Sequence, residues 1–136
     1  MLPFEFIVEG PPLSHQTRNR ARLQEWKEKV RAAAAAHWPI ETPPIMTPIK
    51  FTVVYYHEGE AIRLDNDNMV KPLQDALNRL IYADDRLITD TIARKTSIDG
   101  EFRVRYWSAA LAEGFTRGRE FLHITIEAAP DHRDTL

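Results

Sequence analysis

Asp65 and Asp67 stand one residue apart in "RLDNDNMVKPLQDAL" (63–77), and Lys71 follows them at the head of a helix-like run. On an extended chain, residues i and i+2 point to the same face, so these two carboxylates are set to converge. Carboxylates held close repel each other unless one is protonated or a cation lies between them. Mg²⁺ and Mn²⁺ take oxygen ligands, and they use few carboxylates alongside water and substrate phosphate. A further acid pair, Asp84–Asp85, follows the run. The same spacing admits a plainer reading, helix N-capping, although one aspartate would satisfy that need. Lys71 also has two readings. Its ammonium can offset charge developing on a phosphoryl oxygen beside a metal. Or it forms an i,i+4 pair with Asp75, worth a few tenths of a kcal/mol at most.

Other chemistries fit these residues less well. A calcium loop needs glycine at its sixth position, where Val70 stands. Ser14 has no evident base and acid beside it, which argues against a serine hydrolase. His123, Thr125 and Glu127 share one face of the last strand and read as its solvated side. His15 and His57 read as incidental.

The surrounding elements must position these groups. "PFEFIVEG" alternates well enough to predict a strand, ended by "GPPL" because proline cannot donate to a ladder. From Leu23, apolar residues recur at Trp26, Val30, Ala33, Ala34 and His37–Trp38, a helix with one buried stripe. Prolines between Pro39 and Pro48 predict an extended connection. "IKFTVVYYH" is β-branched and aromatic, hence a strand. A second helix carries Leu73, Ala76, Leu77, Leu80 and Ile81 on one face. Because Pro72 is best tolerated in a first turn, that helix is expected to begin near Asn68 to Val70 and to run to about Tyr82. Such a helix is ~20 Å long, which would leave Asp84 and Asp85 at its far end unless the chain folds back. "ITDTIARKTSI" and "FLHITIEAA" read as strands. Residues 99–119 read equally as a hairpin extension, a short helix at Ser108 to Ala112, or a loop. The order β-α-β-α-β-β predicts an α+β fold, two main helices against a small mixed sheet, as a single domain over residues 1–130 with 131–136 a frayed tail.

The chain has 136 residues, 43% apolar and 28% charged, enough for a real core. No apolar run approaches the ~20 residues of a membrane span, and the acidic start does not resemble a signal peptide. Cysteine is missing, which excludes disulfides and thiolate chemistry and fits a reducing cytoplasm. The net charge of −2 argues weakly against nucleic acid, but its distribution is uneven. Arg18 to Arg31 holds six Lys/Arg against two acids, while Glu58 to Asp90 holds eight acids against four bases. Separate patches of opposite sign can serve a metal and a polyanion together, or be solvated surface.

The block "RLDNDNMVKPLQDALNRLIYADDRLITD" resembles the signature of RusA-type Holliday junction resolvases. Its elements are Asp65, Asp67, Asn68, Lys71, Asp75–Ala76–Leu77, Asp84–Asp85 and Asp90, in order and spacing. The opening strand with "PPLS" also resembles the family's start. The resemblance implies a cytoplasmic homodimer, bacterial or phage-encoded, that hydrolyses two strands of a DNA four-way junction. It implies that Asp65, Asp67 and Asp85 bind Mg²⁺ or Mn²⁺ and that Lys71 assists hydrolysis. Asn68, Asp84 and Asp90 become candidate supporting residues behind the ligands. Arg18, Arg20, Arg22 and Arg63 become candidate DNA contacts. The chain departs from the family in its low basicity and in a longer segment from Gly100 to Arg119. Two rival readings remain: a branched-DNA-binding module of the same fold that does not cut, and a dimeric scaffold whose acids merely cap and solubilise.

Overall fold

The computed structural model describes residues 2–59, 64–98 and 107–134. Strands β1 (Phe4–Glu9), β2 (Ile49–His57), β3 (Ile88–Ser97) and β4 (Phe121–Ala128) form one sheet in the order β1-β4-β2-β3. β4 pairs antiparallel with both β1 and β2, whereas β2 and β3 run parallel. A parallel neighbour requires a crossover, and helix α2 (Asn66–Leu77) supplies it.

Alternation along the strands divides the sheet into two faces. Phe4, Phe6 and Val8 of β1, Phe51, Val53 and Tyr55 of β2, and Leu122, Ile124 and Ile126 of β4 are all buried. They pack against α2 and helix α1 (Arg20–Ala35), which contributes Leu23, Trp26, Val30 and Ala34 at helical spacing. Asn19 caps α1 by accepting from the Arg22 amide at 3.0 Å. From α2, Leu73 and Leu77 are fully buried, each worth about 1.5–3 kcal/mol.

The α+β class and the mixed sheet agree with the expectation from sequence. A third helix, α3 (Ala109–Arg117), extends the order to β-α-β-α-β-α-β. It resolves the ambiguous segment as far as that segment is described; residues 99–106 lie outside the described residues. Ser108 caps α3 through the Leu111 amide, and Gly118, at φ 67°, ends it in the left-handed region. Leu111 and Phe115 pack on Tyr56 and Phe121, closing one end of the second sheet face. Gly114 lets the helix approach: a Cβ there would stand 2.4 Å from Phe121 Cε2. At the C-terminus, residues 132–134 make a single 3-10 turn, and His132 Nε2 lies 2.7 Å from Asp90 Oδ1.

Candidate active site

α2 begins earlier than its proline suggested. It starts at Asn66, places Pro72 inside the helix, and ends at Leu77. Proline has no N–H, so the Asn68 carbonyl one turn back lacks its helical donor. The His15 amide fills that role at 2.9 Å. The substitution lets α2 continue through Pro72 and binds the β1–α1 loop to the helix.

This register changes the relation between the first two acids. Asp65 is the N-cap, with extended backbone, and Asp67 lies in the first helical turn. They do not share a strand face. Asp65 makes no side-chain capping hydrogen bond, so capping leaves its carboxylate unexplained. Asp67 and Lys71 fall one turn apart on a helical stripe that continues to Asp75. Lys71 accordingly sits in the second turn of α2 rather than the first.

β3 holds the start of α2 in place. Lys95 Nζ donates to the Leu64 carbonyl, and Asn66 Nδ2 donates to the Ala93 carbonyl at 3.3 Å. Gln74 Nε2 reaches Thr91 Oγ1 at 3.2 Å. The end of α2 is held as well. The Tyr82 hydroxyl donates to the Gln74 carbonyl, and Arg31 donates to the carbonyls of Ala76 and Asn78. These bonds satisfy acceptors that a helix C-terminus leaves open. Burial pushes the Tyr82 hydroxyl far above the ordinary tyrosine range, which keeps it a neutral donor.

The chain then folds back. Arg79 takes a positive φ of 68°, and residues 81–83 pair with Ile45 through backbone bonds of 2.8 and 2.9 Å. Asp84 caps the following 3-10 turn (Asp85–Leu87), accepting from the Arg86 amide at 3.0 Å. That hydrogen bond, with a second from Asp85, holds the exposed Asp84 carboxyl below the usual carboxylate range. The turn brings Asp85 beside α2: its Oδ2 lies 3.7 Å from Lys71 Nζ. Lys71 Nζ also lies 3.0 Å from Asp75 Oδ1. Asp75 chiefly, and then Asp85, raise the lysine above its ordinary value, so it is an ammonium at neutral pH.

The structure therefore brings Asp85, Lys71 and Asp75 into contact, with Asp67 a turn away and Asp65 at the helix cap. Among the described residues, no three carboxylate or imidazole groups close into a metal cage. Asp65, Asp67 and Asp85 are each exposed, and carboxylate oxygens are the hard donors that Mg²⁺ and Mn²⁺ select. Asp90 stands apart. It faces the side of β3 opposite Thr91 and α2 and is engaged by Thr89 and His132. Arg20 is used structurally, donating to the carbonyls of His15 and Thr17. Arg18 and Arg22 are exposed. Arg63 lies outside the described residues. His123, on the sheet face away from α2, contacts Glu5 at 2.7 Å.

A family model described as endodeoxyribonuclease RusA matches residues 11–105. The chain belongs to the RusA endodeoxyribonuclease family. The matched span contains α1, β2, α2, the Asp85 turn and β3, so the family signature and the acid–lysine contacts occupy the same part of the fold. Membership gives the coarse activity class, a DNA-hydrolysing nuclease. No curated protein matches the chain, and no described helix is long and apolar enough to cross a membrane. Among the supports that reasoning from sequence missed are Lys27, Lys95 and the His15 amide. All three act across long sequence separations. Pro72 alone was a readable signal, since a proline inside a helix demands a substitute donor.

Proposed function

We propose that this RusA-family chain is a metal-dependent endodeoxyribonuclease that resolves DNA four-way junctions by paired phosphodiester hydrolysis, acting as a homodimer. The observation that carries this reading is the 3.7 Å approach of Lys71 Nζ to Asp85 Oδ2, because it joins acid segments that the sequence keeps apart.

In this reading Asp65, Asp67 and Asp85 hold Mg²⁺ or Mn²⁺. Bound there, the ion would activate water and draw charge from the phosphate. An open donor set suits that role, since magnesium keeps waters and shares its sphere with substrate phosphate. Lys71 brings its ammonium to the non-bridging phosphate oxygens and stabilises the charge that builds as water adds to phosphorus and the ester oxygen leaves. Asp84 sets the orientation of Asp85 by capping its turn. Asn68 supports the ligands from between Asp67 and Met69. Arg18, just before α1, and Arg22, in its first turn, contact flanking phosphates, and each such contact steepens the salt dependence of binding. A two-fold dimer would present two such sites to a near-symmetric junction.

The test is cleavage of a synthetic four-way junction with Mg²⁺ or Mn²⁺, comparing the wild type with Asp67→Asn. Symmetric paired nicks by the wild type and none by the variant, with junction binding retained, support the reading. Equal cutting by both removes Asp67 from the chemistry. Tight binding with no nicks under either metal favours a junction-binding module instead.

A further inference from the structure

The RusA-family signature places an aspartate one turn after the lysine, but a surface i,i+4 pair stabilises a helix only slightly. Here the aspartate is engaged from both sides. Asp75 Oδ1 lies 3.0 Å from Lys71 Nζ and Asp75 Oδ2 lies 3.5 Å from Lys27 Nζ, which comes from α1. The Asp75 and Lys27 side chains are only 27% and 23% exposed, whereas Lys71 and Asp85 are about half exposed. The half-buried pair is therefore the fixed part and the Lys71–Asp85 contact the open part. α1 is itself fastened to the end of α2 by Arg31.

We infer that Asp75 is the positioning residue that aims the Lys71 ammonium, and that Lys27 fixes Asp75 in turn, making α1 part of the site's support. The inference rests on the nuclease reading above only for what the aimed lysine does. A lysine with one partner samples many rotamers, while one pinned between two carboxylates is held in one place. Without Asp75, the ammonium keeps, among the described residues, one ion-pair partner, Asp85, and settles on a carboxylate assigned to the metal.

The experiment measures single-turnover junction cleavage and junction affinity for Asp75→Asn, Asp75→Glu, Lys27→Met, Lys71→Ala and the Asp75→Asn/Lys71→Ala pair, each checked for folding by circular dichroism. Misaiming a catalytic group costs on the order of 10- to 100-fold, so Asp75→Asn should lose about that in rate while binding changes less than about twofold. Asp75→Glu should recover part of the loss. In the Lys71→Ala background, Asp75→Asn should add less than about twofold, because the two act as one unit. A wild-type rate for Asp75→Asn, or losses that multiply in the double variant, would overturn the inference. If Asp75→Asn does not fold, Lys27→Met decides: a slower rate at unchanged affinity supports the inference, and a wild-type rate overturns it. If the wild type itself does not cut, the nuclease reading fails, and the positioning is judged without DNA from the Lys71 ammonium signal in ¹⁵N nuclear magnetic resonance. A resolved signal that broadens in Asp75→Asn and returns in Asp75→Glu supports it. A signal indifferent to Asp75 sinks it.

Discussion

The His15 amide donates to the Asn68 carbonyl at 2.9 Å, occupying the bond that Pro72 cannot make. This one contact lets a helix run through a proline and ties a loop to the start of the acidic site. The His15 amide is therefore expected to exchange with solvent as slowly as the α2 backbone, although it belongs to a loop. Pro72→Ala returns a competing donor to the helix and should speed His15 exchange. Amide hydrogen exchange checks both. A His15 amide as fast as an unstructured one would show that the loop is not fastened there.

Lys71 faces Asp75 and Asp85, and its side chain is about half exposed. Lys71→Ala should therefore leave the fold intact, lower junction cleavage by roughly 10²-fold, the usual scale for losing a group that meets developing charge, and barely alter junction affinity. Rate and affinity measured on the same junction separate these effects. An affinity loss as large as the rate loss would make the lysine a docking contact.

Gly114 sits inside α3, where alanine would ordinarily improve helix stability by up to about 1 kcal/mol. Its Cβ position is already taken by the Phe121 ring, at 2.4 Å. Gly114→Ala should thus destabilise the protein by about 1–3 kcal/mol, as overpacking does. Urea denaturation provides the measurement, and a variant as stable as the parent would mean that α3 does not pack on Phe121 as described.

Asp90 accepts hydrogen bonds first from Thr89 and then from His132, and both hold its carboxyl below the ordinary 3.8. A depressed acid adds stability that is present above 3.8 and is lost as pH falls through its lower folded value. Carbon-13 titration of the carboxyl should find Asp90 ionised below 3.8. Thr89→Ala should raise its midpoint more than His132→Ala does. The reverse order would mean that the tail, rather than the neighbouring hydroxyl, governs Asp90.

The strands and α1 were legible in the sequence because each buries one face: Phe4, Phe6 and Val8 at period two, and Leu23, Trp26, Val30 and Ala34 at helical spacing. The start of α2 was misread because the local rule for proline assumes no outside donor, and His15 supplies one from the preceding loop. α3 was ambiguous because its apolar contacts, Leu111 and Phe115, have meaning only against Tyr56 and Phe121. In the site, residue types were readable but proximity was not. Asp85 reaches Lys71 only because Arg79 reverses the chain and residues 81–83 pair with Ile45. Lys27 joins through the packing of α1 on α2, which no local pattern encodes.

The central claim is that Asp65, Asp67 and Asp85 act together on one divalent ion. Calorimetric titration with Mn²⁺, in the presence of a four-way junction, measures this directly on the wild type and on Asp65→Asn, Asp67→Asn, Asp85→Asn and Asp84→Asn. The account predicts that the first three substitutions each abolish or weaken binding by at least about tenfold, as loss of one carboxylate from a small donor set should, while Asp84→Asn largely retains it. Undiminished Mn²⁺ binding in Asp85→Asn, or none in the wild type, would contradict it.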